Sequence, residues 1–302
     1  ARRADLSEQT QGRALLAPAK INLTLEILGR RADGYHELES LVVFAALGDE
    51  LAVAPSDRLE LEVTGPFAAE LAGPQEDNLV LRAARLLAKA AKREEEGACL
   101  RLTKNLPVGA GLGGGSSDAA VVLRELNSLW NLSFSPDRLA ELALSLGADL
   151  PACLYGRPVL VRGIGEQLSP APPLPPFWIV LANPGRSLPT AAVYRARGGP
   201  FSRSSGWWEA PLSNLNEFVG YLQAKKNDLQ APAIQLCREI EVVLLALSQS
   251  QGVRLARMSG SGATCFAIYA QEEEARAASD ALRAAYPHWW IACAPLLEQQ
   301  PC

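Results

Sequence analysis

The chain is poor in the side chains that carry most acid–base and redox chemistry. Its 302 residues include only two histidines, His36 and His288. Of six cysteines (Cys99, Cys153, Cys237, Cys265, Cys293 and Cys302), none forms a Cys-x-x-Cys pair. A disulfide framework is out of place in a chain this long and this rich in core residues. Reduced cysteines packed as small apolar groups, in a reducing cytoplasm, are expected instead. No apolar run approaches the ~18 residues of a membrane helix. No basic block stands out: 29 Lys+Arg face 33 Asp+Glu, a formal charge of −4, which disfavours nucleic acid as a main partner. No feature marks an obligate protein partner. Ala1–Thr10 lacks the apolar core of a secretory signal and reads as a disordered tail.

What is present is core material, 48% hydrophobic against 21% charged residues, in a length that suits two domains. From Lys20 to Leu28, Ile21, Leu23, Leu25 and Ile27 alternate with Asn22, Thr24 and Glu26, the pattern of a strand with one wet face. Residues 59–64 and 100–103 alternate likewise. Helical period follows Asp77 and Asn78, either of which can cap, and recurs from near Ser116. Ser135-Pro136-Asp137 opens a third helix that Gly147 closes. The charged run Lys92–Glu96 reads as a solvated helix end. Pro170–Pro176 holds five prolines in seven residues and marks an extended connector, placing a domain boundary after residue 169. Beyond it come a buried strand at 177–182, a loop at 198–206 and a long helix over 232–247. Strands at 253–258 and 263–270, a helix from Glu272 and a strand at 289–293 complete the chain. Strands and helices mix without strict alternation, which favours α+β over a doubly wound sheet.

The densest signal is Leu106–Ala120, LPVGAGLGGGSSDAA, with five glycines in the seven positions 109–115 between a strand and a helix. Glycine lets backbone approach a phosphate and turn its N–H groups inward. The following helix adds free N–H groups and the positive end of its dipole. Ser116 and Ser117 offer hydroxyls to a phosphate oxygen or a bound Mg2+. Against this stands a plain flexible loop with Ser116 as an ordinary N-cap. Gly109, Gly111 and Gly114 spell GxGxxG, but no strand ending in an acidic residue follows about 20 positions on, so a dinucleotide fold fails. A P-loop requires lysine where Gly115 stands.

This loop resembles the ATP motif of the GHMP kinases, small-molecule kinases named for galactose, homoserine, mevalonate and phosphomevalonate. Ala17-Pro18-Ala19-Lys20-Ile21-Asn22-Leu23 resembles their N-terminal motif and Met258–Ala263 their C-terminal glycine motif. With Arg31-Ala32-Asp33-Gly34-Tyr35-His36, Gly147–Pro151 and Gly163–Glu166, the set is similar to the branch of that family acting on a cytidyl derivative of methylerythritol. The resemblance spans about residues 17–270. It implies a two-domain GHMP kinase fold, with an N-terminal ribosomal-protein-S5-like βαβ domain (1–169) and a C-terminal ferredoxin-like α/β domain (170–302). The first would bind ATP and carry the catalytic residues, and the second would complete the substrate and phosphate site. It further implies ATP, with Mg2+ accompanying the nucleotide, and phosphorylation of the substrate's 2-hydroxyl.

The resemblance also implies roles. Asp149, alone a turn aspartate, becomes the base for the substrate hydroxyl. Lys20, alone a solvated strand lysine, holds Asp149 ionised and stabilises the developing alkoxide. ATP contacts fall to Pro107, Val108, Gly109, Ala110, Gly111, Leu112, Gly113, Gly114, Gly115, Ser116 and Ser117, to Gly260 and Ser261, and to Asn78 and Lys104 on the adenine side. Lys104 reads equally as a solvated strand-end lysine. Asp118 reads equally as a metal ligand and as an acid favoured by the helix dipole; no protein metal ligand is assigned. Tyr35 offers a stacking ring and His36 an edge partner for cytosine, with Asn22 nearby; the segment reads otherwise as a surface hairpin turn whose tyrosine is merely amphipathic. Thr190 and Tyr194 belong to the segment that supplies a second aromatic face. The family's two aromatics after Asp-x-Pro are here Ala152-Cys153, smaller side chains expected to open the wall behind Asp149. His288 is expected to pack or to face solvent, outside the site.

Overall fold

A computed structural model describes residues 13–71, 73–208, 212 and 214–297. The expected tail at Ala1–Thr10 and Cys302 lie outside the described residues. Seven strands form the first sheet: β1 (Leu15–Asn22), β2 (Glu26–Arg30), β3 (His36–Ser56), β4 (Leu59–Thr64), β5 (Gly97–Thr103), β6 (Val159–Gly163) and β7 (Gln167–Pro170). The main order is β4-β5-β3-β6-β7, with β1 and β2 both antiparallel to β3. β4 and β5 are parallel, joined by helix α1 (Leu79–Ala91), because parallel neighbours need a crossover. Asn78 caps α1, its Oδ1 accepting from Val80 N at 2.9 Å. Helices α2 (Gly114–Leu129), α3 (Pro136–Leu144) and α4 (Leu150–Tyr155) follow. Val42, Phe44, Leu51 and Leu100 of the sheet pack on Val80, Ala84 and Leu87 of α1 and on Val122, Leu123 and Leu126 of α2.

The second sheet is antiparallel throughout, in the order β11-β8-β10-β9, from β8 (Trp178–Asn183), β9 (Leu255–Met258), β10 (Cys265–Tyr269) and β11 (Trp290–Pro295). Helices α5 (Thr190–Ala196), α6 (Leu215–Gln223), α7 (Gln230–Leu236), α8 (Glu239–Ser248) and α9 (Glu272–Ala285) accompany it. Period-two alternation divides its side chains. Val180, Ala182, Cys265 and Ala267 face Ile240, Val243 and Leu247 of α8 and Ala275 and Leu282 of α9. Ile179, Leu181, Phe266 and Ile268 face Ile21, Leu23, Leu41 and Val43 of the first sheet. The two halves therefore share a core.

Several expectations are corrected. The polar face of residues 20–28 is not wet: Asn22, Thr24 and Glu26 are buried. Glu26 stands directly opposite Glu39, and Lys225 lies against both (3.1 and 3.5 Å), so the face is an ion-paired interior. The helix over 232–247 is two helices, broken where Cys237 turns extended, and the break leaves Leu236 facing solvent. Residues 93–96 are a turn beyond α1, not its end. The glycine-loop helix starts at Gly114, so Ser116 lies in the first turn and is not the N-cap. The five described cysteines are free thiols, as expected.

Candidate active site

One cleft of about 440 Å³ gathers most of the expected residues. β1 brings Lys20 into it. The β1–β3 register slips between Pro18 and Lys20, and such a bulge re-aims the side chain. Lys20 is 4% exposed, and its Nζ lies 2.6 Å from Asp149 Oδ1. This overturns the solvated reading of the lysine. Asp149 occupies the N-cap position of α4, but its side chain caps nothing there, so the carboxylate is left to Lys20 and to the cleft.

The loop facing this pair has a regular conformation. Gly109, Gly111 and Gly113 all have positive φ (63°, 77° and 60°), which turns successive N–H groups toward one concavity. A Cβ on Gly111 would lie 2.6 Å from Ser259 O, so no larger residue fits. Lys20 N donates to Leu112 O at 2.8 Å, tying β1 to the loop. α2 begins without a side-chain cap, leaving its first N–H groups for a ligand. Ser117 Oγ is buried and has no partner among the described residues. These are the features a triphosphate needs, so the residues present fit ATP.

Beneath the loop lies a cluster that sequence reading assembled only in part. Lys104 is buried between Asp49 and Asp118, which overturns its solvated strand-end reading. Burial alone would lower its pKa, but the two carboxylates outweigh burial and raise it. Burial pushes Asp118 up to about 7, against the pull of Lys104. Asp49 was missed. Its Oδ1 accepts from Asn105 N (2.6 Å) and Leu106 N (2.8 Å), fixing the entry to the loop. Its partners lie 55 to 57 residues away, so no local pattern signals it.

The second half of the chain closes the site. Ser259 Oγ donates to Gly111 O (3.0 Å) and accepts from Asn22 N (3.2 Å). Gly260 and Ser261 line the cleft, and Ser261 Oγ is 3.0 Å from Thr190 Oγ1. Asn22 Nδ2 donates to Ser40 Oγ, whose own proton goes to Thr24 O, leaving Asn22 Oδ1 without a partner among the described residues. Tyr194 lines the cleft and packs its ring on His36, centroids 5.1 Å apart. Burial and the charge of Asp149 raise the Tyr194 phenol. Burial, then Arg30 and Arg197, lower His36.

Tyr35 sits at the tip of the β2–β3 hairpin, 60% exposed, and does not line the cleft. Asn78, Pro107, Val108 and the loop residues through Ser116 do line it; Ser117 lies just behind. Ala152 forms part of the wall, but Cys153 is packed in the core, its thiol pushed up to about 12 by burial, so the wall opens at one position only. Gly163–Glu166 is the β6–β7 turn, closed by Ile164 N donating to Glu166 Oε2. His288 is exposed and lies outside the cleft.

Comparison with known proteins agrees with this geometry. Residues 78–157 match the GHMP kinases N terminal domain and residues 210–288 the GHMP kinases C terminal domain. A 4-diphosphocytidyl-2-C-methyl-D-erythritol kinase from Paramagnetospirillum magneticum is 51% identical over 281 residues, 93% of this chain and 97% of that protein. A crystal structure of 4-(cytidine 5'-diphospho)-2C-methyl-D-erythritol kinase superposes with a TM-score of 0.76 at 37% identity, covering 94% of this chain and 99% of the other. Homoserine kinase from Cytophaga hutchinsonii shares the fold, with a TM-score of 0.67 at 17% identity over 99% of this chain and 98% of its own. A glycine loop held by both halves of a mixed α+β chain, a lysine–aspartate pair facing it and these relatives together place the chain in the GHMP kinase family.

Proposed function

We propose that this chain is a kinase that transfers the γ-phosphoryl group of ATP to the 2-hydroxyl of 4-diphosphocytidyl-2-C-methyl-D-erythritol, in isoprenoid precursor synthesis. The observation that carries the reading is the Lys20–Asp149 pair at 2.6 Å, set in one cleft with the glycine loop and Tyr194. Phosphoryl transfer asks little covalent chemistry of a protein; it asks for positioning and charge stabilisation. Asp149, 53% exposed, is open to a substrate hydroxyl and accepts its proton as the oxygen attacks phosphorus and ADP leaves. Lys20 keeps Asp149 ionised beforehand and stabilises the developing alkoxide. The amides of residues 109–117 hold the triphosphate, Asn78 and Pro107 border the adenine, and Asn22, Thr190 and Tyr194 hold the cytidyl alcohol from the cleft walls, with His36 against the Tyr194 ring and Tyr35 at the hairpin tip beyond them.

Mg2+ would neutralise phosphate charge. Among the described residues there is no cluster of three or more His, Cys, Asp or Glu suited to a metal. The orphaned Ser117 Oγ and Asp118 Oδ1 are the protein atoms nearest that role, so the ion would be held chiefly by phosphates. We assign residues 1–169 to the ATP-binding and catalytic domain and 170–302 to the domain that completes the site. No described helix is long and apolar enough to cross a membrane. The free cysteines support action in a reducing cytoplasm.

ATP consumption by the purified chain against the cytidyl alcohol, mevalonate and homoserine tests the reading, with the product identified by phosphorus NMR. Turnover of the cytidyl alcohol alone is expected. Turnover of mevalonate or homoserine, with none of the cytidyl compound, overturns it.

A further inference from the structure

Ser259 is where the second half of the chain grips the glycine loop, its Oγ donating to Gly111 O at 3.0 Å. That bond is only as firm as the segment that presents the hydroxyl. Met258–Gly260 is braced by one side chain from elsewhere in the sequence. Asn227 is buried, and its Nδ2 donates to Met258 O and to Gly260 O, both at 2.8 Å, the carbonyls on either side of Ser259. Its Oδ1 accepts from Leu229 N at 2.9 Å. An amide side chain supplies two donors and an acceptor in one plane. A carboxylate would set charge against two carbonyl oxygens, and a hydroxyl has a single proton to give.

The main chain of Asn227 is fastened to the other half of the molecule. Leu25 N donates to Lys226 O at 2.9 Å and Leu25 O accepts from Asp228 N at 2.8 Å, so Leu25 and Asn227 form a parallel bridge just ahead of β2. Leu25 itself lines the cleft. Asp228 reinforces the attachment, its Oδ2 accepting from Ile27 N and from Ser202 Oγ, both at 2.7 Å. Asn227 therefore stands at a junction, with its backbone on the strand entry of the first sheet and its side chain on the glycine segment that meets the loop.

We infer that Asn227 is a positioning residue for the nucleotide phosphates, acting through Ser259 on Gly111; the inference rests on the ATP site proposed above. The path has two links. Asn227 fixes the peptide groups flanking Ser259, and the Ser259 hydroxyl fixes Gly111 O. A peptide unit is planar, so holding Gly111 O also sets the direction of Leu112 N–H, in a residue that lines the cleft. The fit is close: a Cβ on Gly260 would lie 3.1 Å from Gly111 O, so a small displacement of this segment reaches the loop at once.

Calorimetry with a non-hydrolysable ATP analogue, beside a thermal melt of each protein, tests the assignment. N227S keeps a side-chain acceptor for Leu229 N but cannot reach both carbonyls, and its affinity for the analogue should fall by roughly 10-fold. S259A breaks the second link and should fall by a similar factor. The N227S/S259A double variant should fall little further, because both changes cut one path. D228A is the control for general loosening. It strips buried hydrogen bonds from the adjacent residue, so it should lower Tm, yet bind the analogue as wild type does. Wild-type affinity in either N227S or S259A overturns the positioning role, so the test survives if one of them does not fold. Losses that simply add in the double variant overturn it too, as does a loss in D228A equal to that in N227S. A wild-type chain that does not bind the analogue at all overturns the ATP site itself, and the positioning role with it.

Discussion

Replacing Lys20 by methionine separates the charge of the proposed catalytic pair from its packing. The Lys20 stem lies against the glycine loop: a Cβ built on Gly113 would stand 3.1 to 3.3 Å from Lys20 Cβ, Cε and Cδ. Methionine keeps that volume and removes only the ammonium. Asp149 is 53% exposed, so water replaces the lost partner, and the fold should lose no more than about 1 kcal/mol. The chemistry should lose far more. A unit charge 4 Å from a developing alkoxide is worth about 4 kcal/mol at an effective dielectric of 20. Part of this is already spent on Asp149 in the ground state and does not accelerate the reaction. About 3 kcal/mol remains, the scale of one lost oxyanion donor, or roughly 10²-fold in kcat. Single-turnover quench with labelled ATP reads the chemical step, and calorimetry with an ATP analogue checks that the loop is intact. Asp149→Asn should fall by a similar factor, and the double variant little further, since the two act as a unit. A Lys20→Met protein with normal nucleotide affinity and kcat within ~5-fold of wild type refutes the role of the ammonium.

The glycine loop makes its own prediction. Gly113→Val forces a β-branched side chain into φ 60° and against Lys20, so affinity for an ATP analogue should drop by ~10-fold or more; unchanged affinity in a folded variant would place the phosphates elsewhere. Tyr35→Ala should cost about 1–3 kcal/mol of cytidine diphosphate binding while Tyr35→Phe retains it, and neither should shift the melting temperature, because the ring is exposed; equal binding by all three proteins removes the stacking role. Lys225→Met leaves Glu26 and Glu39 facing each other in the interior, so stability should fall by about 3 kcal/mol in a denaturant titration, and adding Glu39→Gln should restore part of it. A Lys225→Met curve that overlays wild type contradicts the account of that buried face.

What was legible in the sequence was what the backbone itself requires over a few consecutive residues. Of the glycines at 109–115, Gly109, Gly111 and Gly113 adopt left-handed conformations and Gly111 admits close backbone neighbours, the features that suit a phosphate site. Ser135 and Asn78 bond to amides two or three residues on, and both caps formed. What stayed hidden depends on partners far along the chain. β3, the longest strand, shows no sustained alternation. Leu41 and Val43 serve the core between the sheets while Val42 and Phe44 serve the helical core, so the run is apolar on both faces. The polar face of Asn22, Thr24 and Glu26 looked wet because its counter-groups, Ser40, Leu41 N and Lys225, come from 17 to 199 residues away. Tyr35 was expected as a stacking ring, and the structure leaves it at the hairpin tip, outside the cleft walls. The sequence names the ring; its reach depends on how the hairpin sits against α5.

The shared core also bears on how the proposed catalytic parts are divided. Lys20, the glycine loop and Asp149 all belong to the first half of the chain, yet the loop is not held by that half alone. Ser259 bonds the carbonyl of Gly111, and Ala110 O accepts from Thr264 N, so two of the loop's backbone carbonyls are satisfied from the second half. Arg257 reaches the same way, its guanidinium donating to Leu23 O beside the Lys20 strand and to Leu222 O and Lys225 O of its own half. Backbone groups left unpaired inside a protein cost about 1–3 kcal/mol each, so sliding one half against the other would orphan several at once. Phe266, Ile268, Ile179 and Leu181, packed on Ile21 and Leu23, oppose the same displacement through apolar contact. The distance between the phosphate cradle and the Lys20–Asp149 pair is thus held from both sides, by polar bonds at the rim and by packing beneath. For a reaction that depends on holding a γ-phosphate in line with a hydroxyl, rigidity at that junction does more than any further reactive group would, which accounts for a chain so sparing in histidine and reactive cysteine.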